Sequence, residues 1–152
     1  MKSLWLCLLL CVSGVAAADA VVRVESPQVR ETLPAQTVSS AYLTVINDGA
    51  ADAVLIAASS DRSPRVEIHE HRHDNGMMQM RKLESVVVPA QGRLVFETGG
   101  LHLMLLDLPA PLRVGESVTL TLQFQDGSQV TVSAPVNSLQ QTLQAPAPKH
   151  HH

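Results

Sequence analysis

Four side chains able to bind a soft metal ion stand at long, fixed separations: His69, then Met80 after ten intervening residues, His102 after twenty-one more, and Met104 one residue beyond. Thioether and imidazole together suit a soft ion of low coordination number, and Cu(I) fits best. Zinc would more often take thiolate or carboxylate, and calcium or magnesium would take oxygen. Alternate side chains of a strand share a face, so His102 and Met104 in His-Leu-Met would point the same way. Asp74-Asn75-Gly76 is a turn sequence between His69 and Met80, and a hairpin there would fold Met80 back beside His69.

Other residues of these types crowd the same stretch, which reads HEHRHDNGMMQM from His69. If the strand continues past His69, His71 and His73 lie on its face and could serve as secondary or Cu(II) ligands. Met78 shares Met80's face in a regular strand, and Met77 and Met78 could be spare thioethers or apolar surface. Glu67 and Glu70 are not required for Cu(I). The segment from His71 to Gly76 is expected to be a loop that gates the site, because Asn75-Gly76 can take backbone angles that other residues resist.

The spacing H-x10-M-x21-H-x-M resembles that of the periplasmic PCuA(C) copper chaperone family. The likeness extends through VEIHE, GMMQMR, VVVPA, GGLHLMLLDL, PLRVGESVTLTLQF and QVTVSAPV. It implies a cupredoxin-like topology, a metal site made of His69, Met80, His102 and Met104, and delivery of copper to cytochrome c oxidase. The acceptor would be the CuA site of subunit II, reached directly or through a Sco-like thiol protein. Some members of the family carry His- or Met-rich tails, and the closing His150, His151 and His152 resemble a short version able to take Cu(II). A remnant of an engineered chain and a chance terminus are the other readings of that tail.

The supporting elements read as strands throughout. Expected strands cover 21–26, 41–47, 53–57, 65–71, 77–82, 93–97, 102–106, 117–125 and 129–134, with Gly, Pro or Asp between them. Asp126-Gly127 marks a hairpin joining the last two. No segment demands a helix. The expectation is all-β, a Greek-key β-sandwich of cupredoxin-like form. The aromatic share is only 3%, so the core must be aliphatic.

The ends read differently from the middle. Residues 1–18 have a lysine, a short apolar run and small residues near Ala16 to Ala18, the form of a secretory signal peptide rather than a membrane span. Cleavage after Ala18 fits, with Ala17 or Ala20 as alternatives, and the mature chain is expected in the periplasm. The bulky Leu6 and Leu10 before Cys7 and Cys11 argue against lipidation. Both cysteines lie in this segment, so the mature protein should hold no disulfide, thiolate zinc site or blue-copper cysteine. The domain is expected over 19–136, followed by a flexible His-ending tail over 137–152.

A formal net charge of -3 over 152 residues offers no polybasic patch for nucleic acid. No nucleophile and base stand at a motif spacing, so an enzyme is not expected. The expected role is a copper chaperone, and a copper-buffering or resistance protein would use the same ligands. No membrane association is expected after signal cleavage.

Overall fold

In the computed structural model, residues 21–144 are described. The signal segment expected over 1–18 and the terminal histidines lie outside them. Ten strands follow in order: β1 (Val22–Arg30), β2 (Ser39–Asn47), β3 (Ala53–Ser60), β4 (Arg65–Asp74), β5 (Met77–Leu83), β6 (Val86–Val88), β7 (Gly92–Phe96), β8 (Leu101–Leu106), β9 (Ser117–Phe124) and β10 (Gln129–Asn137). A short helix, α1 (Leu139–Gln144), comes last. The all-β class is therefore as expected, and each expected strand is present.

The strands run β5-β4-β8-β2-β1-β10-β9-β3-β6, with β7 also on β2, and the sheet is open at β5 and β6. The two halves are joined by a short parallel pairing of β1 with β10 at Val29↔Val136 and Arg30↔Asn137. Both halves feed one core, aliphatic apart from Phe96 and Phe124: Leu43, Val45, Ile68, Leu103 and Leu105 from one, and Leu55, Val118, Leu120, Leu122 and Phe124 from the other. Alternation is clearest in β9, where Val118, Leu120, Leu122 and Phe124 are buried in turn.

What positions the site is the way β7 and β8 share one neighbour. β7 pairs with Leu43 to Asn47 of β2, and β8 pairs with Ser39 to Ala41, both antiparallel. They amount to one strand along β2, interrupted at Glu97 to Gly100. Within the interruption Gly100 N–H donates to Glu97 O at 3.1 Å, and Gly99 has a φ of 82°. A positive φ at the third position alone is a type II turn, which favours glycine there. Beyond the turn, β8 gains β4 as a second neighbour, with Arg65 to Glu70 paired to Leu106 to Leu101.

The turn between β4 and β5 is tighter than the expected loop over 71–76. β4 continues to Asp74, and only Asn75 and Gly76 connect it to β5. Their φ values are 49° and 79°, both positive, the type I′ geometry whose twist matches that of the strands. His71 and His73 therefore belong to a strand. The tail expected from residue 137 also begins differently, since α1 occupies Leu139–Gln144. Gln141 N–H donates to Ser138 Oγ at 3.2 Å, and Ser138 N–H donates to Gln141 Oε1 at 3.0 Å. This capping box satisfies two end groups that a helix leaves open.

Candidate metal centre on the β5-β4-β8 face

Register decides which side chains meet. In the β4/β8 ladder His69 stands directly opposite His102, and Glu67 opposite Met104. In the β4/β5 ladder His71 stands opposite Met80, His73 opposite Met78, and Lys82 opposite His69. Paired residues share a face, so His69, Met80, His102 and Met104 all lie on one side of this three-stranded stretch. Glu67, His71, His73, Met78 and Lys82 lie there too, while Met77, opposite Asp74, belongs to the other side.

The four do not form a simple square. The two-residue turn sets the β4/β5 register so that Met80 faces His71, two residues along the ladder from the place beside His69 expected of it. β4 lies between Met80 and His102, and two strand spacings amount to roughly 10 Å. His69, His102 and Met104 are close neighbours, and His71 occupies the ground between them and Met80. The His71 and His102 rings stack with centroids 4.9 Å apart at 26°, and the His69 and His102 rings lie 6.0 Å apart at 39°.

Hydrogen bonds choose the tautomer of two of these rings. His102 Nδ1 is 3.1 Å from Gly100 O; a carbonyl only accepts, so the proton sits on Nδ1 and the lone pair on Nε2. The same carbonyl accepts the His71 backbone N–H at 3.1 Å. His69 Nε2 is 2.8 Å from Glu67 Oε2, so it donates to that carboxylate and leaves the lone pair on Nδ1. Both His69 Nδ1 and His71 Nδ1 are buried ring nitrogens with no hydrogen-bond partner. Leaving such atoms unpaired is costly unless something else meets them, and a soft metal ion is one group able to do so.

Electrostatics favour neutral imidazole at the centre. Burial is the main cause that lowers the His102 pKa; the neighbouring His71, His69 and Arg30 push in the same direction, and the bond to Gly100 O opposes. The hydrogen bond with His69 holds the Glu67 carboxyl below its usual range, with Lys82 and Arg65 adding to the effect against partial burial. Lys82 Nζ lies 3.4 Å from Glu67 Oε1. Glu67 is the functional residue that the ligand spacing does not reveal: it orients His69, a role often played by carboxylates behind metal-binding histidines. Its position two residues before His69, on the same strand face, is the available signal.

Exposure varies steeply across the face. His102 is 3% exposed, whereas Met80 and Met78 on the edge strand β5 are 48% and 55% exposed. A surface position describes Met80 and Met78 but not His102, whose strand is paired on both sides. Among the described residues no group of three or more His, Cys, Asp or Glu is placed to hold a metal ion, so a site here needs the methionine sulfurs. A separate cavity of about 430 Å³ lies among β1, β2, β7 and α1, lined by Glu25, Tyr42, Arg93 and Thr142 among others, and includes none of these residues.

This all-β domain carries imidazoles and thioethers on one sheet face, and the solved structures that it resembles include PCuAC domains. Residues 22–136 match the family described as "Putative lipoprotein LpqE-like", and the chain belongs to that family. It is 35% identical over 99 residues to a protein of Leifsonia xyli subsp. xyli named "Putative lipoprotein", covering 64% of this chain and 60% of that one. The chain thus spans less than two thirds of that relative. Among solved structures it resembles the copper-bound PCuAC domain from PmoF2, with a TM-score of 0.66 and 25% identity over 80% of this chain and 96% of the other. The Cu(I) form of DR1885 from Deinococcus radiodurans gives a TM-score of 0.61 and 29% identity over 82% and 83%. Among the described residues no helix is long and apolar enough to cross a membrane.

Proposed function

We propose that this protein is a copper carrier working outside the cytoplasm, and that it holds Cu(I) through His69, Met80, His102 and Met104. The observation that carries this reading is the pair of imidazoles whose hydrogen bonds leave one lone pair each on a face shared with both thioethers. Nδ1 of His69 and Nε2 of His102 are the donor atoms, and Glu67 fixes the first of these rings. Uncharged ligands match a soft monovalent ion and leave it only moderately held, which suits transfer rather than storage.

The acceptor proposed is cytochrome c oxidase at its CuA site, reached directly or through a Sco-like protein, and the compartment is the periplasm. The copper-bound and Cu(I)-bound forms of similar domains support the metal; the acceptor rests on the family resemblance alone. An oxygen-free Cu(I) titration of the mature protein against a competing chelator tests the site. One tight equivalent is expected, weakened by at least about tenfold, or about 1.4 kcal/mol, in Met104→Leu. No tight binding, or binding indifferent to Met104, overturns the reading. Transfer of the bound copper to a purified CuA domain then separates a carrier from a copper-buffering protein, which would retain it.

A further inference from the structure

The β5-β4-β8 face continues past the proposed site toward the hairpin turn, and the continuation has the same chemistry. His71 faces Met80 and His73 faces Met78 on successive rungs of the β4/β5 ladder. Facing side chains start about 5 Å apart across the ladder, and rungs on one face are about 7 Å apart along it. An ion between the two rungs is within reach of two imidazoles and two thioethers, given metal-ligand bonds of roughly 2 Å.

Three of the chain's five methionines fall in the seven residues of β5. They do not serve as core filler, since Met77, Met78 and Met80 are all about half exposed or more. His71 brings an independent sign: its Nδ1 is buried without a hydrogen-bond partner, and its ring lies against His102.

We propose a second, outer Cu(I) position formed by His71, His73 and Met78, with Met80 shared between it and the inner position of His69, His102 and Met104. This rests on the reading of the inner site as a copper site. The outer position is half solvated, on a strand paired along one edge only, so it is the weaker of the two and the one an incoming donor or departing acceptor meets first. Copper passes between the positions by stepwise ligand exchange: the bonds to His71, His73 and Met78 break in turn as those to His69, His102 and Met104 form. Met80 stays bound, and no electron or proton is transferred. The stacked His71 and His102 rings keep the two ligand sets adjacent throughout.

The test is an oxygen-free Cu(I) titration of the mature protein with His150, His151 and His152 replaced by alanine, followed by NMR of the methionine methyl and histidine ring signals. The first equivalent is expected to move the Met104 signal. A second, at least about tenfold weaker, is expected to move Met78 and His73 together. In the double variant His73→Ala, Met78→Leu, both changed positions being exposed, the second event disappears and the first is kept.

Signals of Met78 and His73 that stay still after Met104 has saturated overturn the outer position and leave the inner one standing. Movement of Met78 without His73, or survival of the second event in the double variant, overturns the outer position equally. A Met104 signal that never responds overturns the inner site instead.

Discussion

β8 and β5 both carry thioethers to the same face, yet they are held very differently. β8 is paired on both sides, with β2 and β4, and Leu103 and Leu105 are completely buried beneath it. Among the described residues β5 pairs only with β4, and every residue from Met77 to Lys82 is exposed. Strands with buried apolar contacts open only at a large fraction of the global unfolding free energy, whereas an exposed edge opens locally at much less. The site is therefore fixed at one end and free to yield at the other. At the fixed end His102 is a buried imidazole, and the β4–β5 hairpin, rather than a loop, is the more exposed end.

The largest effect that this contrast predicts is at Leu103. It is wholly buried, between the His102–His69 rung and the Met104–Glu67 rung, and Leu103→Ala should cost about 2–5 kcal/mol through lost burial and the cavity left behind. Urea denaturation measures it. A loss below about 1 kcal/mol would show that β8 can relax as readily as β5, and the division into a fixed and a yielding end would have to be given up.

Much of this arrangement is legible from spacing because strands have a simple period. The alternation in His-Leu-Met puts His102 and Met104 on one face, and Asn75-Gly76 marks the turn where it occurs. Register is harder to read, since it depends on how many residues the turn consumes. Two residues rather than a longer loop move Met80 opposite His71 and bring His71 to the centre of the face. Tautomers are harder still: the break between β7 and β8 is marked by Gly99-Gly100, but nothing in the sequence shows that the Gly100 carbonyl sets the lone pair of His102. Two smaller elements do have local signals. Ser138-Leu139-Gln140-Gln141 is a capping box, and the short β6 (Val86–Val88) is an apolar run broken by Pro89. Each is too short to stand out by periodicity.

An intermediate effect concerns acid. Burial depresses the folded-state pKa of His102 below its ordinary value of 6.5, so between those two values the unfolded chain binds more protons than the folded one. Stability then rises with pH across that window: it is fully present above about 6.5 and is lost as pH falls toward the folded value. Denaturation of the copper-free protein at a series of pH values should show this loss, and His102→Gln should flatten it. β5 contributes no buried histidine of its own, so acid should weaken the fixed end of the face first. A slope unchanged in His102→Gln would place the acid sensitivity elsewhere.

The smallest effect expected is on stability at the yielding end, and it is the sharpest check on what the methionines are for. Met78 is 55% exposed and loses little packing when replaced by a residue of similar size, so Met78→Leu should alter unfolding free energy by no more than about 0.5 kcal/mol. A loss above about 1 kcal/mol in a chemical melt would mean that the side chain is packing against its neighbours and that structure alone accounts for it. A neutral result leaves an exposed thioether, beside a histidine and away from the core, with no stabilising role. Its sulfur is then the only property that leucine fails to reproduce, and a change in copper binding at unchanged stability would isolate that property.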